Sequence, residues 1–237
     1  METKETEPSA DAPSSRRIRS FVLRAGRMSD AQRRSYETLA PRFLLPYERK
    51  TLDYAAAFGA DRPVTVEIGF GMGIATAKIA QANPDRSYLG IEVHTPGIGR
   101  LLWEIEGRSL ENVRIVQHDA VEVLEDMVND SSVSAFHIFF PDPWPKKRHN
   151  KRRLVTRPFT DLLARKLKPG GYLYMATDWV EYGDWALAEL SATPTLTNAY
   201  ADFAPRQLWR PETKFESKGL AKEHEVRELY FVKGAGV

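Results

Sequence analysis

The sequence predicts an α/β fold in which helices cover both faces of a central sheet. Three observations carry that expectation. Val64-Thr-Val-Glu-Ile68 is an apolar, β-branched run that breaks into Gly69, Gly71 and Gly73. It resumes as the helix-forming stretch Ile74–Asn83, which halts at the Asn83-Pro84 step. Strand-like and helical stretches then alternate along the chain. Finally, the first four strand ends each bring an acid: Glu67, Glu92, Asp119 and Asp142.

Composition narrows the class. A chain of 237 residues, 42% apolar with 11 Phe, 5 Trp and 9 Tyr, suffices for one α/β domain with a tail. Net charge is only +2, so the placement of basic residues matters more than their sum. The absence of cysteine excludes disulfides and Cys-based zinc sites. The five histidines (94, 118, 137, 149, 224) lack ligand spacing, and no metal is expected. With no apolar signal region and no run of membrane-spanning length, the expected setting is cytoplasmic, without a membrane partner. A monomer is the working expectation for oligomeric state.

In chain order, residues 1–15 are rich in Glu, Pro, Ser and Ala and are expected to form a disordered leader. Residues 16–45 read as a basic N-terminal arm. Seven arginines lie between Arg16 and Arg34 against one acid, Asp30, with Ile18, Phe21, Val22 and Leu23 able to pin the arm down. Such an arm is either a solvated face or a grip on phosphate. The single domain is expected over 46–237. Glu48–Phe58 reads as a helix leading into the Val64 strand, and Ser87–Val93 as the second strand. Pro96–Arg108 is the next helix, Asn112–His118 the third strand, and Asp119-Ala120 opens another helix. Val133–Phe139 is a fourth, mostly apolar strand, as expected when both faces are covered. Leu154–Leu167 is an amphipathic helix ended by Lys168-Pro-Gly-Gly171, followed by a strand over Tyr172–Thr177 and a helix over Glu181–Leu190. The pattern is poor from Ser191 to Pro211. A last strand is expected over His224–Val232.

The glycine turn is not the dinucleotide fingerprint, which needs glycine where Ile74 stands. Glycines there admit positive φ and close approach of a ligand. Glu67 at the strand end repels a phosphate and suits a ligand with a cationic end. S-adenosylmethionine, with an adenosine at one end and an ammonium at the other, meets that requirement. Glu92, nineteen residues beyond Gly73, sits where an acid can accept both ribose hydroxyls. Asp119 falls where the adenine edge would lie, and it can also cap its helix. After the fourth strand, Pro141-Asp-Pro-Trp-Pro145 fixes a rigid loop that holds Asp142 and Trp144 at the sheet's carboxyl edge. Lys146-Lys-Arg-His-Asn-Lys-Arg-Arg153 follows without a gap and brings six positive charges in eight residues. A nucleic acid bound there would lie beside the site.

Together, Glu67-Ile-Gly-Phe-Gly-Met-Gly73, Glu92, Asp119, the Pro141–His149 block, Asp178 and Thr213-Lys-Phe-Glu216 resemble the bacterial tRNA (guanine-N7-)-methyltransferases. The resemblance runs from about Phe21 to the C-terminus. It implies a Rossmann-like, S-adenosylmethionine-dependent methyltransferase fold, with a mostly parallel sheet and an antiparallel last strand. The implied reaction is methylation of N7 of the guanine at tRNA position 46, in the variable loop. By the same implication Glu67, Gly69, Gly71, Gly73, Glu92, Asp119 and Asp142 hold the cofactor, and Asp142 is catalytic. Lys146, Asp178, Thr213, Lys214, Phe215 and Glu216 would contact the substrate. Arg148, His149, Asn150, Lys151, Arg152 and Arg153 would contact RNA. Guanine N7 carries no proton, so Asp142 is expected to orient and stabilise charge, while Trp144 or Phe215 stacks on the base. Two rival readings are methylation of an exocyclic amine, with Asp142 accepting its proton, and a non-catalytic RNA-binding protein that retains an adenosine pocket.

Overall fold

The structure, a computed structural model, describes residues 18–22, 26–212 and 225–235. Its elements in chain order are α1 (Asp30–Phe43), β1 (Leu44–Leu45), α2 (Tyr54–Phe58), β2 (Val64–Ile68) and α3 (Ile74–Ala82). Then come β3 (Ser87–Ile91), α4 (Thr95–Arg108), β4 (Val113–Val116), α5 (Ala120–Asp126) and β5 (Val133–Phe139). A 3-10 helix (Lys147–Arg152) precedes α6 (Arg157–Lys166), β6 (Leu167–Thr177), α7 (Val180–Ser191), β7 (Leu196–Asn198) and β8 (Arg227–Lys233).

Among the described residues the strands form one sheet in the order β1-β4-β3-β2-β5-β6-β8-β7. Pairing is parallel from β1 to β6, whereas β8 runs antiparallel to both β6 and β7. The expected mostly parallel sheet with an antiparallel last strand is therefore present. Strand order reverses between β2 and β5, and the crevice outside the carboxyl ends of such strands is where open α/β sheets take ligands.

Two apolar layers sandwich the sheet. Phe43, Ala77, Ile79, Ile98, Leu101 and Leu102 from α1, α3 and α4 pack on Tyr88, Val113 and Ile115. Phe58, Val123, Leu124, Phe159, Leu163, Tyr182 and Leu190 from α2, α5, α6 and α7 fill the opposite layer. Every residue of β2 and β3 is buried, which accounts for their unalternating sequence. Over β5, β6 and β8 one face is covered by rings: His137, Phe139, Tyr172, Tyr174 and Tyr230 pack with Trp209 from the 199–212 segment.

The N-terminal part of the chain also differs from its reading. Residues 30–45, expected within the basic arm, form α1 and the edge strand β1. Ser29 and Gln32 close a capping box, Ser35 donates to Glu106 of α4 (3.1 Å), and Leu44 and Leu45 pair with Ile115 and Val116. The helix expected over Glu48–Phe58 is only one turn or so, from the Asp53 cap to Phe58, with Gly59 in the left-handed region ending it. β6 begins at Leu167 and runs through the Lys168-Pro-Gly-Gly segment, read from sequence as a stop, because Leu167 pairs with Val133. The 3-10 helix and β7 were not expected. Residues 1–15, and with them the predicted leader, lie outside the described residues.

Candidate active site

The glycine turn after β2 is held from two sides, by α4 and by Glu92. Gly69, Gly71 and Gly73 all have φ between 57° and 70°, the left-handed region that glycine alone enters without strain. A Cβ on Gly73 would stand 2.6 Å from Leu101 Cβ, and one on Gly97 would stand 2.0 Å from the Gly71 carbonyl oxygen. The start of α4 thus presses directly on the turn. Above Gly69 and Gly71 a Cβ would meet nothing within 4 Å, so that side of the turn is open to a ligand.

Glu92, just past β3, closes the other side. Its carboxylate accepts the Gly71 N–H (2.8 Å) through one oxygen and the N–H groups of Val93 (2.7 Å) and His94 (3.0 Å) through the other. The acid predicted to take ribose hydroxyls therefore also locks the turn to the next strand end. Each carboxylate oxygen keeps acceptor capacity beyond these bonds.

Between these elements lies a cleft of about 210 Å³ lined by Gly69, Glu92, His118, Phe140, Pro141 and Asp142, with Ser20 and Phe21 of the N-terminal segment at its wall. It stands at the strand-order reversal, across the ends of β2, β3, β4 and β5. Asp142 is exposed at its rim. Glu67 lies deeper, 2% exposed on the α3 side of β2. Burial pushes its carboxyl up to about 8, and the charge of Glu92 adds to the shift. Glu67 Oε2 and Thr76 Oγ1 are both buried without a hydrogen-bond partner. Asp119 is buried and accepts the Val121 N–H (2.9 Å) as the α5 cap, while its neighbours His118 and Ala120 face the cleft. His118 stacks on Tyr47 with ring centroids 3.7 Å apart. Sequence reasoning missed that wall, since Tyr47 is 71 residues away in a stretch with no motif.

The Phe140–Pro145 loop leaves β5 through Phe140 and Trp144, both at positive φ (51° and 46°). Such backbone costs roughly 1–3 kcal/mol per residue and persists only where neighbours hold it. The Phe140 N–H donates to Ala176 O (2.8 Å), and the guanidinium of Arg210 lies over the Phe140 ring at 5.8 Å. Arg210 is itself buried and donates to Glu228 of β8 at 2.5 Å. The Trp144 indole N–H donates to Ser20 O (3.0 Å) and Arg152 covers its ring at 5.2 Å. Trp144 is thus fixed at its indole edge, with Arg152 over its ring.

The basic block divides in two. Lys146, Lys147, Arg148 and Lys151 are exposed. Loss of water, then the charges of Arg148, Arg152, Lys146 and Lys151, hold the His149 imidazole below its ordinary range. Asn150, its amide turned to donate, faces the carbonyls of Trp144 (3.0 Å) and Lys146 (3.3 Å). Arg153, expected from sequence among the RNA contacts, is 3% exposed and turned inward toward the Pro143 carbonyl and Glu181. Asp178 is half-buried at the end of β6. Thr213, Lys214, Phe215 and Glu216 lie outside the described residues. Among the described residues no group of acids and histidines could hold a metal ion, and no helix is long and apolar enough to cross a membrane.

A family described as putative methyltransferase matches residues 61–229, the whole span of strands that carries this cleft. A tRNA (guanine-N(7)-)-methyltransferase of Nitrosospira multiformis is 52% identical over 93% of this chain and 96% of its own length. One from Ralstonia pickettii is 54% identical over 96% of this chain and 89% of its own. This chain belongs to the tRNA (guanine-N(7)-)-methyltransferase family. Solved structures agree on the fold. The 16S rRNA methyltransferase KamB superposes with a TM-score of 0.55 at 15% identity, covering 92% of this chain and 99% of its own. A 16S rRNA (adenine(1408)-N(1))-methyltransferase solved with its cosubstrate SAM gives 0.53 at 16% identity, over 78% and 93%. Family membership identifies the chain as a methyltransferase, and S-adenosylmethionine as its cofactor.

Proposed function

We propose that this chain transfers the methyl group of S-adenosylmethionine to N7 of a guanine in tRNA, at position 46 of the variable loop, giving 7-methylguanosine in the cytoplasm. The carrying observation is one piece of geometry. Asp142 shares a cleft with Glu92 and the open glycine turn, and its loop runs straight into an exposed cationic 3-10 helix.

The residues present suit the cofactor. Glu67 offers a buried carboxyl oxygen without a partner, a ligand's cationic end beside it would favour its ionised form, and the turn leaves room above Gly69 and Gly71. S-adenosylmethionine supplies an electrophilic methyl group on a sulfonium. Glu92 would take the ribose hydroxyls, Asp119 with His118 the adenine side, and Glu67 the cationic end.

Guanine N7 presents an in-plane lone pair with no proton, so no residue need act as a base to create the nucleophile. The chain's work is to hold N7 in line and to meet the positive charge that appears on the purine. Asp142, exposed at the rim of the cleft, would do both. Asp178 is suited to accept from guanine N1–H and the 2-amino group, which adenine cannot match. Lys146, Arg148, His149, Lys151 and Arg152 would take phosphates, and Thr213–Glu216 would complete the substrate side. Incubating the protein with methyl-labelled cofactor and unmodified tRNA tests the reading: label in the RNA supports it, and label confined to the cofactor pool contradicts it.

A further inference from the structure

Arg153 ends the basic block, yet it is the one residue of that block whose guanidinium is buried. We propose that Arg153 is a positioning residue that holds the Asp142 loop in place for methyl transfer, and that it makes no contact with RNA. The inference rests on the function proposed above and assigns one of its residues a different part.

The geometry is a two-pronged clamp. Arg153 Nε donates to Pro143 O (3.1 Å), the carbonyl next to Asp142, and Nη2 donates to Glu181 Oε1 of α7 (2.9 Å). The side chain is 1% exposed, and its guanidinium lies over the rings of Tyr182 (5.2 Å) and Trp185 (5.1 Å). Those rings are in turn fixed: Tyr182 OH accepts the Val155 N–H (3.1 Å) and Trp185 Nε1 donates to Val155 O (2.7 Å). One planar group thus ties the loop bearing Asp142 to the face of α7.

The clamp answers a physical need. A loop with three prolines has few N–H groups to anchor itself, and two residues of the Phe140–Trp144 stretch hold positive φ. A carbonyl of that loop bonded to a buried cation is a strong restraint, because charge-assisted hydrogen bonds are about twice as strong as neutral ones. Lysine cannot replace it, since an ammonium lacks the rigid planar fork that donates to the two partners while packing against the rings.

The test compares Arg153→Lys and Arg153→Met with Glu181→Ala, which removes one prong from an exposed partner. For each, kcat, KM for tRNA, melting temperature and the slope of log K against log salt are measured. The clamp predicts that both Arg153 variants lose about 10- to 100-fold in kcat, as displaced reacting groups do, with an unchanged salt slope. Glu181→Ala should lose kcat about threefold with KM and slope unchanged, an effect that one mobile hydrogen bond makes reasonable. If Arg153→Lys retains wild-type kcat, or if Arg153→Met lowers the salt slope by about one phosphate contact, the clamp is wrong. If neither Arg153 variant folds, Glu181→Ala decides, and wild-type kcat there overturns the proposal. A wild-type protein that leaves tRNA unmethylated overturns the assigned reaction and this role with it.

Discussion

Asp142 and Glu92 share a cleft but not a task. Asp142 is exposed at the rim with its oxygens free to face a substrate, whereas both Glu92 oxygens already accept backbone N–H groups. Asp142→Ala is therefore expected to lower kcat by about 100-fold, the scale on which single electrostatic contacts act in transition states, while cofactor affinity measured by calorimetry changes little. Unchanged turnover would remove Asp142 from the chemistry. Glu92→Ala should do the converse. It removes a ribose acceptor and also unlocks Gly71, so cofactor affinity should drop by at least about 10-fold, the loss of one charged hydrogen bond. Calorimetry returning wild-type affinity would contradict that assignment. Glu92 was legible from its spacing after Gly73; its bond to the Gly71 N–H was not, because sequence spacing carries no information about which way a turn's amide points.

The 3-10 helix is the element whose two faces do different things. Lys147, Arg148 and Lys151 are exposed, while Arg153 at its end and Asn150 within it face inward onto the proline loop. Replacing Lys151 and Arg152 by Gln should reduce the salt dependence of tRNA binding by up to about two phosphate contacts, read from filter binding between 50 and 200 mM salt. An unaltered slope would make that face merely solvated. The block's charge and its place beside Asp142 were evident in the sequence. The partition was not, since eight consecutive polar residues give no periodic apolar signal to mark an inner face. Elements built on strong local patterns fared differently. Val64–Ile68, Ile74–Ala82 and Val133–Phe139 match their expected spans within a residue. β1 and α1 were read as an arm because arginines masked the capping box and the two-residue strand is too short to carry a pattern.

At the scale of the molecule, two buried titratable groups on neighbouring strands push the pH dependence of stability in opposite directions. His137 is held at about 3 by burial, with Arg86 adding to it; its ring meets Tyr172, Phe139 and Trp209. Between about pH 3 and 6.5 the unfolded chain binds a proton there that the folded chain does not, so stability falls as pH drops through that window. Glu67 is raised to about 8, and between about 4.5 and 8 the folded chain keeps a proton the unfolded chain has lost, so stability falls as pH rises. The two slopes oppose one another from about 4.5 to 6.5. Urea melts of the free protein should therefore lose stability at both the acid and the alkaline ends. Glu228, raised by burial to about 7, adds to the alkaline loss. Glu67→Gln should thus reduce that loss, most clearly between about pH 7 and 8, and leave the acid limb unchanged. An unchanged alkaline limb in that variant would dismiss Glu67 as a source of it.

The central claim is that one cleft joins a cofactor site to a guanine carried by tRNA, and the position of the new methyl group tests it most directly. Unmodified tRNA is incubated with the protein and cofactor, digested to nucleosides for mass spectrometry, and cleaved chemically at 7-methylguanosine. The account predicts 7-methylguanosine with a single cleavage at position 46 of the variable loop. Methyl groups on an exocyclic amine, or on no base at all, would contradict it.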